Sequence, residues 1–168
     1  PSVSSAFPVW PLTARLADRN RSLAGTKAGA GVGNLKRPGK RRTAVRTVFV
    51  TGADGYVGER LIQHLLSGGL QVIAGVRNRA RKLTLERRQI PALVCDITDP
   101  IHVARAIAST RPDAVVHLAG ISTSAAAAAD PLAAYQSIVS SWAHVLDGVR
   151  RAVPRARVLL TSAADVYG

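Results

Sequence analysis

The sequence has little of several residue types, and each shortage excludes a class of protein or site. One cysteine, Cys95, stands among 168 residues, so an internal disulfide framework is excluded. No apolar stretch approaches the roughly 20 consecutive residues that a membrane helix needs, so we expect no membrane partner and a cytoplasmic location. None of the four histidines has a cysteine or histidine partner at metal-ligand spacing, and we therefore predict no metal site.

Acidic residues are scarce at the start of the chain. Residues 1–46 contain ten Lys/Arg and one acid, Asp18, so they carry +9 of the net charge of +13 and leave +4 for the rest. Because residues 1–44 are also rich in Pro, Gly, Ser and Ala and show no sustained period, we predict a disordered basic tail or linker. A transit peptide is an alternative. A tail of this kind binds polyanions without sequence preference, so no specific nucleic-acid partner is expected.

Short apolar runs alternate with helical patterns from Arg46 onward. Two Asp-Pro pairs, Asp99-Pro100 and Asp130-Pro131, mark helix starts, because aspartate caps free N–H groups and proline suits the first helical position. The patterns predict strands at 48–50, 71–76, 92–95, 113–118 and 157–161. They predict helices at 56–67, from 100 to about 111 and from 131 to just before Pro154, with room for a short helix within 77–88.

The alternation of valine-rich strands with helices predicts an α/β fold, a Rossmann-type doubly wound parallel sheet covered on both faces. Right-handed crossovers give the strand order 3-2-1-4-5. In such a sheet, ligands bind beyond the carboxyl ends of the strands, where the strand order reverses between strands one and four. We therefore expect the loops after the strands to meet at one edge, in a domain at residues 45–168.

The segment 51–58, TGADGYVG, follows the first predicted strand and opens the first predicted helix. Gly52 allows a tight turn, Gly55 lets the backbone approach a phosphate, and Gly58 lets the helix pack closely. The N-terminus of the helix supplies free N–H donors and partial positive charge. This context predicts that a dinucleotide diphosphate is bound there. A glycine-rich turn without a ligand is the alternative.

Basic residues follow the second predicted strand. An NAD site usually has an acid about 20 residues beyond the glycines, where it binds the ribose 2′-hydroxyl. Val76 stands at that position and Arg77 follows it, with Arg79, Arg81 and Lys82 close behind. Because a guanidinium grips a phosphate bidentately, this favours NADP over NAD. The alternative is a solvated surface run.

Four motifs together resemble one family, the extended short-chain dehydrogenase/reductases of the epimerase and dehydratase type. They are the segment 51–58, Asp96-Ile97-Thr98-Asp99, His117-Leu118-Ala119-Gly120 and Asp165-Val166-Tyr167-Gly168. The resemblance covers residues 46–168, which match the cofactor half of such an enzyme. It implies an NAD(P)-binding domain truncated after strand five, a nucleotide-sugar substrate and a homodimeric parent.

The resemblance also implies a role for individual residues. Those around the diphosphate would be Gly52, Gly55, Tyr56, Val57 and Gly58. Asp96 would bind the adenine amino group with Ile97 against the ring, although a plain turn before Asp99 is the alternative. Those on the nicotinamide-ribose side would be Ala119, Gly120 and Ile121, and those on the substrate side Ser122, Asp165 and Tyr167. For His117 and Leu118 we expect core packing.

Within the family, the segments 75–78, 117–122 and 165–168 look most like the GDP-mannose branch. That branch contains GDP-mannose 4,6-dehydratase and GDP-4-dehydro-6-deoxymannose reductase. This resemblance implies a GDP-sugar substrate and NADP.

The family's catalytic residues are mostly missing from this sequence. Relatives transfer a hydride at a sugar carbon, as oxidoreductases or lyases, with a Tyr-x-x-x-Lys pair and a Ser/Thr. The pair does not occur here, Ala163 takes the usual Ser/Thr position, and Ser162 is the substitute candidate. We expect a fragment that is inactive alone. Ala163 and Ile138, where relatives commonly have asparagine, also allow a non-catalytic NADP-binding module, either a pseudoenzyme or a redox sensor.

Overall fold

A five-stranded parallel sheet forms the centre of the computed structural model, which describes residues 44–162. The strands are β1 (Thr47–Thr51), β2 (Gln71–Val76), β3 (Ala92–Val94), β4 (Ala114–His117) and β5 (Arg157–Leu160). Their hydrogen-bonded order is β3-β2-β1-β4-β5, and all four pairings are parallel. The predicted fold class and strand order are therefore confirmed. The predicted tail at 1–44 lies outside the described residues, apart from its last position.

Helices connect the strands. They are α1 (Tyr56–Ser67), α2 (Arg79–Arg87), α3 (Pro100–Thr110), α4 (Ser124–Ala129), α5 (Pro131–Tyr135), a π-helical segment (Gln136–Ser140) and α6 (Ser141–Ala152). The predicted helix at 56–67 is confirmed in its bounds, and the short helix within 77–88 exists as α2. Among the described residues, no helix has both the length and the apolar character needed to cross a membrane.

The two Asp-Pro helix starts are confirmed. The Asp99 carboxylate accepts the N–H of Ile101 at 2.7 Å, at the start of α3. The Asp130 carboxylate accepts the N–H of Ala133 at 2.9 Å, at the start of α5. Each cap gives a partner to an N–H group that the first helical turn leaves free.

Two features of the segment between β4 and β5 were not predicted. Thr123 caps the short helix α4 by accepting the N–H of Ala126 at 3.2 Å. Residues 125–129 are all alanine, so they favour a helix but show no amphipathic period that would reveal it. The single long helix expected from residue 131 is interrupted by the π-helical segment Gln136–Ser140.

The sheet is covered on both faces, as predicted. On one face, Val48 and Val50 of β1 pack in a cluster with residues of α1 and α2, including Ile62 and Leu85. On the other face, Phe49 packs with residues of α3 and α6. Adjacent residues of one strand point to opposite faces, so the unbroken apolar run of β1 fills both halves of the core.

One histidine lies at the centre of the fold. His117, the last residue of β4, is 0% exposed, as expected for core packing. Its Nδ1 lies 2.6 Å from Oγ1 of Thr51 in β1, and its Nε2 lies 2.9 Å from Oγ of Ser141 in α6. Burial lowers the pKa of His117 from 6.5 to about 4, because the protein interior disfavours the charged ring.

The buried histidine should make stability depend on pH. Between pH 6.5 and about 4, the unfolded His117 binds a proton that the folded ring does not. The free energy of unfolding should therefore fall as the pH is lowered through this range, by at most about 1.4 kcal/mol per pH unit from this group. Denaturant titrations of the chain and of His117→Gln at several pH values measure this. The variant should show a flatter dependence, and an equal slope in both proteins would contradict the assignment.

Candidate functional site

A cleft of about 540 Å³ lies at the carboxyl edge of the sheet. The parallel registers create it. Thr51 stands opposite Gly75 on one side and His117 on the other, and Val76 stands opposite Val94. Because the strands end together, the loops that follow β1, β2, β3 and β4 all reach the same place.

Most of the predicted binding residues line this cleft. They are Gly52, Gly55, Tyr56, Val57, Gly58, Arg77, Ile97, Ala119, Gly120 and Ser122. Five other residues, for which the sequence predicts no binding role, also line it: Asp54, Gly75, Asn78, Cys95 and Leu118. Arg81, which it placed only in the basic run, lines the cleft as well.

The glycines of the first turn bring backbone segments into direct contact. Gly52 has a φ of +66°, and a Cβ on it would lie 2.8 Å from the Ala119 nitrogen. A Cβ on Gly58 would overlap the Gly52 carbonyl oxygen and lie 2.9 Å from Cα of Ala53. The expected tight turn is therefore present, and α1 starts directly against it.

The N-terminus of α1 faces the cleft without a side-chain cap. Gly55 is its N-cap residue and forms no side-chain cap hydrogen bond. A Cβ on Gly55 would have one neighbour within 4 Å, the Gly52 oxygen at 3.3 Å. The space into which this Cβ would point is therefore otherwise empty of protein atoms. The first residues of α1 line the cleft, and Tyr56 is 77% exposed. Free N–H groups and the helix dipole make this a suitable place for an anion.

The basic residues that follow β2 fall into two groups, those that line the cleft and those that do not. Arg77 and Arg81 line the cleft, and Nε of Arg81 lies 3.5 Å from the carboxylate of Asp54, which lines it as well. Arg79 is exposed and does not line the cleft, and Lys82 pairs with Glu86 along α2. Arg77 precedes α2, whereas Arg79, Arg81 and Lys82 lie on it, and Asn78 caps this helix by accepting the Arg81 N–H at 3.0 Å.

The residues after β3 form a turn. One oxygen of the Asp96 carboxylate accepts both the N–H of Thr98 at 3.0 Å and its hydroxyl at 2.8 Å, and these bonds lower the Asp96 pKa. Asp96 does not line the cleft, whereas Ile97 does. The geometry agrees with the turn alternative, and the adenine-binding role of Asp96 stays a prediction.

Cys95 is a buried residue directly after β3. It is 3% exposed. Burial, helped by the nearby Asp96 and Asp99 carboxylates, raises the pKa of its thiol to about 12. A thiol with so high a pKa stays protonated, so it is not a nucleophile.

The remaining predicted residues are distributed around the cleft or lie elsewhere. Ile121 is not a lining residue, but it stands between Gly120 and Ser122, which are. Ser162, just after β5, is exposed and does not line the cleft. Ala163, Asp165 and Tyr167 lie outside the described residues.

The groups that line the cleft are suited to binding phosphates and rings. N–H groups of a helix N-terminus and two guanidinium groups can hold phosphates, and apolar surface at Ile97 and Leu118 can hold rings. Within residues 44–162, no group of three or more His, Cys, Asp or Glu side chains could hold a metal ion.

Comparisons with known proteins agree with this arrangement. The sequence pattern of the NAD dependent epimerase/dehydratase family matches residues 48–168. UDP-glucose 4-epimerase 2 of Oryza sativa subsp. japonica is 33% identical over an alignment of 135 residues that covers 74% of this chain and 33% of that protein. UDP-glucose 4-epimerase of Neisseria meningitidis serogroup C is 28% identical over an alignment of 131 residues that covers 74% of this chain and 38% of that protein.

A solved structure is also similar. The UDP-glucose 4-epimerase of Thermus thermophilus in complex with NAD superposes with a TM-score of 0.57 at 26% identity, over 62% of this chain and 34% of that one. The chain thus spans about a third of the length of these relatives. They are named as UDP-glucose enzymes, so they support the expected family but not its GDP-mannose branch. On the match over residues 48–168, the chain belongs to the NAD dependent epimerase/dehydratase family.

Proposed function

We propose that this chain is the cofactor-binding part of an enzyme that transfers a hydride between a nicotinamide dinucleotide and a carbon of a nucleotide sugar. The observation that carries the proposal is the uncapped N-terminus of α1, held by backbone contacts at Gly52 and Gly58 in the wall of the cleft. A side chain at Gly55 would point into open space beside the helix N-terminus. Because Gly55 has no side chain, a diphosphate can occupy this space.

The dinucleotide would extend across the cleft from this point. The adenosine half would lie toward Arg77 and Ile97, and the nicotinamide half toward Ala119 and Gly120, on the opposite side of the glycine turn. When bound, the nicotinamide would supply the hydride chemistry. The chain's own residues would bind and orient it.

We propose NADP as the preferred form. Two cationic side chains, Arg77 and Arg81, line the end of the cleft beyond β2, where an NAD site would have an acid. The 1% exposed Val76 at that position offers no partner to a ribose 2′-hydroxyl. The similar Thermus thermophilus structure was solved with NAD, which makes NAD the alternative.

We propose a UDP-sugar as the substrate, because the relatives reported above are UDP-glucose 4-epimerases. A GDP-sugar, expected from the segments 75–78, 117–122 and 165–168, is the alternative. The homodimeric parent and the cytoplasmic location stay predictions.

A non-catalytic NADP-binding module is the second candidate. Ala163 and Ile138 favour it, since the resembling enzymes commonly have a Ser/Thr and an asparagine at these two positions. Ile138 lies in the π-helical segment. Such a module would bind the cofactor in the same cleft and convert no sugar.

Gly58→Ala tests the diphosphate site. The added Cβ would overlap the Gly52 carbonyl and force α1 away from the turn, so we expect at least about a tenfold loss of NADP and NAD affinity, which corresponds to about 1.4 kcal/mol. Isothermal titration measures it. Gly68→Ala, at the other end of α1, is the matched control, because its Cβ would find its nearest neighbour at an ordinary 3.4 Å. Unchanged binding by a folded Gly58→Ala would refute the site.

Arg77→Gln tests the choice between the two dinucleotides. Loss of a charge-assisted hydrogen bond to a phosphate costs about 1.5–3 kcal/mol, so NADP affinity should fall about ten- to a hundredfold while NAD affinity stays within about twofold. Arg79→Gln removes the same charge from an exposed residue outside the cleft and should change neither. Equal NADP affinity in both variants would favour NAD as the natural cofactor.

The natural full-length protein tests the substrate. Incubated with cofactor and either UDP-glucose or GDP-mannose, it should convert the UDP-sugar, as detected by chromatography of the products. Conversion of GDP-mannose alone would restore the GDP-sugar prediction. Tight binding of the cofactor with no conversion of either sugar would favour the non-catalytic module.

A further inference from the structure

We propose that His117, Ser137 and Ser141 are positioning residues that hold the loop 119–121 in the cleft wall, with His117 fixed as the neutral tautomer protonated at Nε2. The inference rests on the proposed function, since it concerns the wall that would receive the nicotinamide half. Neither His117 nor Ser141 lines the cleft, and both are 0% exposed. Any effect they have on a ligand is therefore indirect, and the loop is the part of the cleft wall that their hydrogen bonds reach.

The hydrogen-bond directions in this network follow from one hydroxyl. Ser141 Oγ lies 2.7 Å from the Ser137 carbonyl and 3.2 Å from that of Ile138, and a carbonyl can only accept. The single hydroxyl hydrogen of Ser141 is therefore used on its own helix. Toward His117 Nε2, at 2.9 Å, Ser141 must accept, so Nε2 carries the hydrogen.

The opposite nitrogen of the ring then has a defined role. In the neutral ring Nδ1 carries no hydrogen, so it accepts the Thr51 hydroxyl at 2.6 Å. The Thr51 oxygen in turn accepts the N–H of Ala119 at 3.4 Å. The chain of bonds thus runs from the first residue of the loop through β1 and the imidazole to α6.

The other end of the loop is held by the same helix. Ile121 donates its N–H to Oγ of Ser137 at 3.4 Å. A Cβ on Gly120 would lie 3.3 Å from the Ser137 carbonyl oxygen, so the loop lies close against the π-helical segment. Both loop ends are held by long, weak bonds. The bonds of 2.6–2.9 Å within the core fix the frame to which they attach.

The π-helical segment changes which donor the Ser137 carbonyl accepts. In an α-helix, the Ser141 N–H would bond the Ser137 carbonyl, four residues back. Here the Ser141 N–H reaches the Gln136 carbonyl, five residues back, and the Ser141 hydroxyl bonds the Ser137 carbonyl instead. Ser137 and Ser141 are four residues apart and therefore share one face of the helix, and their hydroxyls on that face bond Ile121 and His117.

Ser141→Ala tests the inference on the full chain. We expect it to weaken NAD binding about three- to tenfold, the loss expected for one hydrogen bond, and to leave the affinity for ADP unchanged. ADP shares the adenosine and diphosphate but lacks the nicotinamide half, so a general loosening of the fold would affect both ligands. Thr110→Val is the matched control. Its hydroxyl also bonds a carbonyl of its own helix, Ala106 at 2.7 Å, but away from the cleft.

A second pair of variants covers the case in which Ser141→Ala does not fold. Thr51→Val removes the hydroxyl that joins His117 to Ala119 and should weaken NAD binding by a similar factor, whereas Thr51→Ser keeps the hydroxyl and should restore it. Equal loss in both Thr51 variants, equal loss of NAD and ADP, or no loss at all would overturn the inference.

The ring itself gives a readout that needs no ligand. In the ¹⁵N-labelled chain near pH 7, long-range ¹H–¹⁵N correlation of His117 should show a hydrogen on Nε2 and none on Nδ1. An Nδ1-protonated or cationic ring would refute the inference even if NAD binds.

If the unchanged chain binds neither NAD nor NADP, the proposed function itself fails. If it binds but Ser141→Ala does not alter binding, only the positioning role fails.

Discussion

The rest of the site depends on close packing of backbone segments at the turn that joins β1 to α1. Gly52 and Gly58 leave no room for a Cβ, since each would meet backbone atoms of the turn or of the loop after β4. This contact puts the N-terminus of α1 level with the carboxyl ends of the strands. The free N–H groups of the helix therefore face the same cleft as the loops after β2, β3 and β4.

The parallel register adds a second constraint by gathering residues that are distant in sequence. Arg77, Ile97 and Ala119 belong to three different loops, yet all line one cleft because their strands end together. Burial then sets the protonation state of two side chains close to these loops. It keeps the Cys95 thiol protonated and the His117 ring neutral. Both side chains therefore have a structural role, Cys95 in the lining of the cleft and His117 in the core behind it.

Much of this could be predicted where a local pattern has a direct physical cause. The α1 bounds follow from a glycine turn at one end and Gly68 at the other, and the Asp99 and Asp130 caps act on N–H groups within three residues. The π-helical segment was missed because the apolar pattern runs through it without a break. The polar contacts of Thr51 with His117 and of His117 with Ser141 were missed because the partners are 66 and 24 residues apart.

The sequence by itself determined the α/β class, the strand order and the place of the glycine turn, because these depend on local periodicity, on caps and on the fixed hand of crossover connections. Only the tertiary structure decided which of the clustered cations face the cleft, that the Asp96 carboxylate is bonded within its own turn, and that His117 joins β1 to α6. These outcomes depend on distances between segments that fold together, and no spacing along the chain encodes such distances.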